Sequence, residues 1–208
     1  MKTESATIFF AAWLPFAAFS QGRVTFDNIF TGTVAGTTPV TISTLPGTFN
    51  PNDGPPGAYL GADYTASLYY LPGTVTNQLE FDSRNSIWAA DASFAGTTGT
   101  GPGHGYAGDG SGFFDGGTVQ LFGVGLELTF QVRAFYNGNG LFTTYEQAQA
   151  AGHNVGRSNL VPLFLTLPPG PAGNLDGLLS FTVGIPEPST FVLAALGGAA
   201  LLLFRRRK

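Results

Sequence analysis

The chain has no cysteine among its 208 residues. Disulfide staples, thiolate zinc sites and thiol catalysis are therefore excluded. Histidine is almost as scarce. His104 and His153 are the only two, and a histidine-based metal centre would need further ligands converging on them. Both read as exposed loop residues, His104 among glycines and His153 just beyond a helix end. Charged residues make up only 11% of the chain, and lysine occurs only at Lys2 and Lys208. Between residues 21 and 184, four arginines (Arg23, Arg84, Arg133, Arg157) face eleven carboxylates, a formal charge of −7 that the whole-chain value of −4 conceals. Such a body offers phosphates little cationic surface, which argues against a nucleic-acid partner. No G-x-S-x-G or H-E-x-x-H motif occurs, and the glycine-rich run 99–105 lacks the Lys-Ser/Thr ending of a phosphate loop. Glu80 and Asp82 are close in sequence, but that is not the spacing two carboxylates need across a glycosidic bond. The expectation is a protein that is not an enzyme and holds no cofactor.

What the chain does have is glycine, threonine and aromatic residues in short runs separated by Gly/Pro/Asn/Asp clusters, a β pattern. Strands are expected over residues 23–28, 38–43, 64–71, 86–91, 118–122, 126–136, 161–167 and 178–183. The run 126–136 is the strongest. Leu126, Leu128, Phe130, Val132, Ala134 and Tyr136 alternate with Glu127, Thr129, Gln131, Arg133 and Phe135, which predicts one buried and one wet face. Residues 143–152 read as one short helix, with Thr143 or Thr144 to cap it, Glu146 in its first turn and Gly152 to end it. The expected fold is all-β, an antiparallel β-sandwich of jelly-roll type with one short helix. A β-solenoid is the alternative, ranked lower because no internal repeat is evident.

Residues 46–61, with four prolines and four glycines, and 168–174 read as surface connections. Residues 96–117 hold ten glycines in 22 positions, so ordering them is entropically expensive. Within them Asp109 and Asp115 are calcium candidates, since a sharply turning Gly/Asp loop can supply the oxygens a hard cation takes. Set against this are the single irregular copy and the lack of EF-hand spacing. Phe113 and Phe114 on that loop either tuck it down or contact a partner. Tyr64, Tyr69, Tyr70, Trp88 and Tyr136 serve a core or, if exposed along one face, stack on sugars.

The two ends have a different character. Residues 1–20 read as a secretory signal peptide: Lys2, the apolar stretch 8–19, then Ala18-Phe19-Ser20, with cleavage between Ser20 and Gln21. An uncleaved anchor is the alternative, weakened by the shortness of the stretch and by Pro15. At the other end Ile185-Pro186-Glu187-Pro188-Ser189-Thr190 leads into the uncharged run 191–204 and then Arg205, Arg206, Arg207 and Lys208. As a helix those fourteen residues span roughly 21 Å at about 1.5 Å each, short of the roughly 30 Å hydrocarbon core. Counting from Ile185, the segment can just cross a membrane. The basic cluster would then stay on the cytoplasmic side. A buried C-terminal core helix is the other reading of this segment.

This order of box, helix and basic cluster resembles the PEP-CTERM sorting signal of Gram-negative and related environmental bacteria. The resemblance implies that an exosortase, a membrane cysteine protease-transferase, recognises Pro186, Glu187 and Pro188 and processes the chain nearby. Residues 191–204 would be a transient anchor in the inner membrane and Arg205–Lys208 the stop signal. The domain start, Gly22-Arg23-Val24-Thr25-Phe26-Asp27-Asn28, and the strand ending Phe135-Tyr136 with Thr144-Tyr145-Glu146-Gln147-Ala148 beyond it are similar to exported proteins of this kind from Verrucomicrobia-type bacteria, which implies domain type and location but no activity. The expected organisation is signal peptide 1–20, exported domain 21–184 and sorting signal 185–208. The expected role is structural or adhesive, at the cell surface or in extracellular polymer. The alternative is a carbohydrate-binding module, with extracellular polysaccharide as its partner.

Overall fold

The computed structural model describes residues 21–29, 38–94, 110–122 and 125–185. The described residues form mostly β-strands in several sheets, with few helices. The largest sheet is organised by β3 (Tyr64–Pro72) and β6 (Glu127–Tyr136), which pair antiparallel from Tyr64↔Tyr136 to Pro72↔Leu128. On the other side of β3 lies β4 (Ile87–Ser93). The free edge of β6 is divided between β7 (Val155–Arg157), opposite residues 133–135, and β8 (Val161–Phe164), opposite residues 127–130. A second sheet has the order β5-β1-β9, with β1 (Gln21–Asp27) between β5 (Asp115–Phe122) and β9 (Gly173–Asn174). A third pairs β2 (Thr41–Ile42) with β10 (Thr182–Val183).

One hydrophobic cluster joins all three sheets. Val24 and Phe26 of β1, Leu121 of β5, Ile42 of β2, Val183 of β10, Leu68 of β3 and Phe130 of β6 belong to it. Phe114 seals it, 4.9 Å from the Phe26 ring and 5.4 Å from the Phe94 ring. The aromatic end of the glycine-rich loop is thus tucked down, because Phe114 is wholly buried. Asn28 holds this corner as well. Its buried side chain accepts from the Phe114 N–H (2.8 Å) and donates to the carbonyls of Thr38 (2.8 Å) and Gly112 (3.0 Å). Gly112 has φ +76°, and a Cβ there would lie 2.5 Å from the Val40 carbonyl oxygen.

The structure corrects four expectations. Two pairings are parallel, β1 with β9 and β2 with β10, where an all-antiparallel arrangement was expected. Strands of two to four residues are too short to carry a clear periodic signal. For the same reason β7 and β9 were not anticipated, and three expected strands (38–43, 161–167, 178–183) shrink to β2, β8 and β10. The described residues hold two α-helices, not one. The expected helix is α2 (Tyr145–Ala150), capped by Thr144, whose Oγ1 accepts from the Gln147 N–H at 3.2 Å, with Gly152 at φ +76° beyond it. The unexpected one is α1 (Gln78–Ser83), capped by Asn77, whose Oδ1 accepts from the Leu79 N–H at 2.8 Å. A 3-10 turn, Pro51–Asp53, adds to these.

The fourth correction is the most consequential. Both faces of β6 are buried, not one. Leu128, Phe130, Val132 and Ala134 enter the main core, while Thr129, Gln131, Arg133 and Phe135 lie beneath α1, α2 and the loop after β3. Alternation correctly separates the two faces, but whether segments remote in sequence cover the polar one is not a local property. The polar side chains are satisfied there: Thr129 Oγ1 donates to the Gly73 carbonyl (2.7 Å) and accepts from the Val75 N–H (2.8 Å).

β7 is pressed between β6 and the backbone of β10. A Cβ on Gly156 would lie 2.3 Å from the Thr182 carbonyl oxygen. Gly156→Ala is therefore expected to cost about 2 kcal/mol as an overpacking substitution against backbone that cannot yield. Urea denaturation would measure it, and unchanged stability would contradict this packing.

Candidate functional site: a polar cavity on the outer face of the large sheet

The outer face of the β4-β3-β6-β7 sheet has an apolar patch at each end. Tyr69, Leu71, Val75 and Phe81 cluster under α1. Phe135, Tyr145, Ala148 and Val155 cluster under α2. Between the two patches the sequence places Arg133 directly opposite Arg157 across the β6–β7 pair. Two like charges opposite one another on a sheet repel. Asp82 of α1 resolves this by bridging them, its Oδ2 2.7 Å from Arg157 Nη1 and its Oδ1 3.6 Å from Arg133 Nη2. Two of the four arginines of residues 21–184 are therefore gathered at one point, and the helix that neutralises them is the one sequence reasoning missed.

Arg133 is the centre of the arrangement, with its side chain only 11% exposed. Its Nε donates to Gln131 Oε1 (3.2 Å), Nη1 to Glu146 Oε1 (3.3 Å) and Nη2 to Ser86 Oγ (3.0 Å). The guanidinium lies 4.1 Å from the centroid of the Tyr69 ring, within cation–π range, and 5.6 Å from that of Tyr145. Gln131 is fixed in turn, its Nε2 donating to Gln78 Oε1 (2.7 Å) and to the Ser158 carbonyl (3.2 Å). Arg133 thus ties the start of β4, through Ser86, to both helices. Above it opens a cavity of about 390 Å³ lined by residues of β3, α1, the α1–β4 turn, β6, α2 and β7. A second hollow of about 370 Å³ lies on the same face beside Thr65, Asp91 and Phe135.

A separate polar cluster binds residues 50–54 to the α2–β7 connection. The Asp53 carboxylate accepts from the Asn154 N–H (2.7 Å) and contacts His153 Nδ1 (2.8 Å). The His153 ring stacks on Tyr136 (centroids 5.1 Å apart, 22° between planes) and touches Phe142 at 4.6 Å. His153 is therefore an ordered, largely covered residue, in place of the exposed loop histidine expected from its neighbours. Asp53 is 100 residues away in sequence, so no local signal joins them. The Tyr64 hydroxyl completes the cluster, donating to the Asp53 carbonyl (3.0 Å) and accepting from Asn154 Nδ2 (3.2 Å).

Burial raises the pKa of the Tyr64 hydroxyl well above the ordinary phenol range; the Asn154 hydrogen bond opposes this and Asp53 adds to it. Burial also raises Tyr69, with Glu146 adding to it and Arg133 opposing, and it raises Tyr145 against the pull of Arg157 and Arg133. The folded state thus favours the neutral phenols. Their contribution is complete below the unfolded tyrosine pKa of about 10 and is lost as pH rises through the higher folded values. Melting temperature is expected to fall steeply above about pH 10. Tyr64→Phe should be less stable than the parent at pH 8 but show a shallower alkaline fall. An identical slope in parent and variant would remove Tyr64 from this account.

Of the expected site residues, Asp109 lies outside the described residues. Asp115 opens β5, and its Oδ1 accepts from the Gly117 N–H at 2.9 Å to turn the chain. Among the described residues no group of three or more His, Asp or Glu is placed to hold a metal ion. Glu80 and Asp82 do not act as a pair: Glu80 meets Arg84 at 3.1 Å, and Asp82 meets Arg157 and Arg133. Of the aromatic residues singled out by sequence, Tyr64, Tyr69, Tyr70 and Phe114 are buried, Phe113 and Tyr136 are partly buried, and only Trp88 is exposed, at 56%. They do not make a flat exposed strip. Gln21 begins β1, paired with Phe122. Ser20, Pro186, Glu187, Pro188, Arg205, Arg206, Arg207 and Lys208, with the signal-peptide and membrane-helix segments, lie outside the described residues. Among the described residues no helix is long and apolar enough to cross a membrane.

The fold gives the class, a mostly β-stranded body with a charge-balanced polar cavity, and the tail gives the sorting type. Residues 184–208 match the PEP-CTERM protein-sorting motif. The chain is thus a PEP-CTERM domain-containing protein. The motif implies recognition by an exosortase-type enzyme and supports export to the cell surface, with membrane anchoring before processing. No curated protein and no solved structure shows a significant match to the chain.

Proposed function

We propose that residues 21–184 form the cargo of this sorting system, a non-catalytic structural or adhesive component of the cell surface or of extracellular polymer. In this proposal residues 1–20 are a cleaved signal peptide. Residues 191–204 are a short transmembrane helix that holds the chain until Pro186, Glu187 and Pro188 are read. The domain itself is taken as a β-sandwich, supported by the single core that the three sheets share. The observation that carries the proposal is the sorting motif at residues 184–208. The domain in front of it agrees in character, being acidic and free of lysine and cysteine. Its carboxylates at Glu80 and Asp82 are held by arginines, which suits a fixed scaffold better than general acid–base work. A carbohydrate-binding face built on a flat aromatic strip is not favoured, because Trp88 is the one exposed member of the expected set.

The test is fractionation of cells that produce the parent chain, Glu187→Ala or a chain lacking residues 205–208. Both variants are expected to accumulate in the membrane fraction at unprocessed size, while the parent reaches the surface or medium shortened. Normal size and location of both variants would refute the sorting assignment.

A further inference from the structure

We propose that the cavity between α1 and α2 binds a neutral sugar ring, one hexose unit of a glycan, with Trp88 as the platform for the neighbouring unit. The proposal rests on the reading above for its setting, outside the cell, but its chemistry comes from the cavity lining. The ionic groups there balance: Arg133 and Arg157 against Asp82 and Glu146. An anionic ligand would have to compete with Asp82 for Arg157, a contact already made at 2.7 Å, and would sit against Glu146. An apolar ligand would strip water from these ions and give nothing back. A hydroxyl both donates and accepts, so a polyol can bridge the two signs without displacing either.

Free hydrogen-bonding capacity remains. Three of the five N–H groups of Arg133 donate to protein oxygens; Nη2 also lies 3.6 Å from Asp82 Oδ1, beyond hydrogen-bond distance, so two N–H groups have no hydrogen bond among the described residues. The side-chain amides of Asn85 and Gln149 on the rim have no protein partner among the described residues. The backbone of the rim is set before any ligand arrives, while the exposed Asn85 and Gln149 amides remain free to turn toward one. Asn85 sits at φ +54° in the α1–β4 turn, and Ser86 beside it is bonded to Arg133. Ser86 and Arg133 are held by their mutual hydrogen bond, and such preorganised polar groups lose little entropy on binding. A volume of about 390 Å³ is at the lower end of ligand pockets, roughly 300–1,000 Å³, which suits one ring and not a chain. Trp88 pairs with Tyr69 across β3 and β4 and so shares the face of the cavity. Its Nε1–H donates to Asp91 Oδ1 at 3.0 Å, which fixes the indole while leaving the ring exposed for stacking.

The full-length chain, solubilised in detergent, would be titrated with neutral hexasaccharides of glucose, mannose and galactose and with hexagalacturonate as the anionic arm. Tryptophan fluorescence and calorimetry would follow binding. Saturable binding of at least one neutral probe is expected. The double variant Asn85→Gly/Gln149→Ala should weaken it about tenfold or more through two lost hydrogen bonds, with the melting temperature kept, since glycine accepts a positive φ and Gln149 is exposed. Trp88→Ala should weaken the hexasaccharide but not the corresponding methyl hexoside. Tighter binding of hexagalacturonate, no binding of any neutral probe, or unchanged affinity in the double variant would each overturn the proposal. Cell fractionation reads the sorting assignment independently, so the failure of one is distinguishable from the failure of the other.

Discussion

Asp53→Ala is expected to lower the unfolding free energy by about 3 kcal/mol, since each hydrogen bond to a buried charge contributes roughly 1.5–3 kcal/mol and an orphaned buried donor adds its own penalty. The Asp53 side chain is 1% exposed and accepts from the wholly buried Asn154 N–H. Alanine leaves that N–H without an acceptor and removes the partner that His153 Nδ1 has among the described residues. The damage spreads because Asn154 Oδ1 accepts from the Asn50 N–H (2.7 Å) and Asn50 Nδ2 donates to the Gly152 carbonyl (3.3 Å). The cluster joins residues 50–54 to the α2–β7 connection at several points, so its loss should free both together. Asp53→Asn keeps one acceptor for Asn154 and should recover more than half of the lost stability. Urea denaturation measures both, and hydrogen exchange at Asn154 locates the effect. If Asn and Ala are equally harmful, the Asn154 bond is not the main contribution.

Arg133→Ala is expected to cost about 3 kcal/mol, at the lower end of the range for breaking a buried ion pair. The discount is needed because Asp82 and Glu146 are 35% and 59% exposed, so both carboxylates can turn to water when the guanidinium goes. What cannot recover is Gln131, wholly buried with its Oε1 deprived of a donor, and the Tyr69 ring, which loses the guanidinium stacked on it. Arg133→Lys keeps the charge, but its three N–H donors share one nitrogen and cannot reach the three acceptors that Nε, Nη1 and Nη2 serve, nor can it lie flat on a ring, so it should restore less than half. Full rescue by lysine would mean that charge alone matters at this position. Both variants should also loosen the α1–β4 turn, seen as faster exchange around Ser86.

Much of this was legible in the sequence. The alternation through residues 126–136 locates β6 and sorts its side chains between two faces, because a strand's period of two is intrinsic to its backbone. Thr144, Glu146 and Gly152 mark α2 because capping and left-handed termination are local. The β1, β3, β4 and β5 regions stand out for the same reason. Less legible was α1. Its Gln78-Leu79-Glu80-Phe81-Asp82-Ser83 run is too short to show a helical period, and its one buried residue, Phe81, finds its place only against Tyr69, Leu71 and Val75. The candidate cavity was not legible at all. Arg133 was visible as a polar residue on a strand, and Asp82 as half of an unpromising acidic pair. Their meeting depends on a separation of 51 positions in the chain.

The sequence by itself determined the class of structure, the exported acidic body without lysine or cysteine, and the sorting motif at residues 184–208. Each depends on composition or on neighbours within about 25 residues, where order along the chain is sufficient. Tertiary structure decided which polar residues are buried, that the second face of β6 is covered, that His153 is held by Asp53, and that two arginines share a cavity with two carboxylates. These depend on contacts between distant segments, and the free energy of such contacts comes from packing and desolvation in three dimensions, which spacing along the chain does not encode.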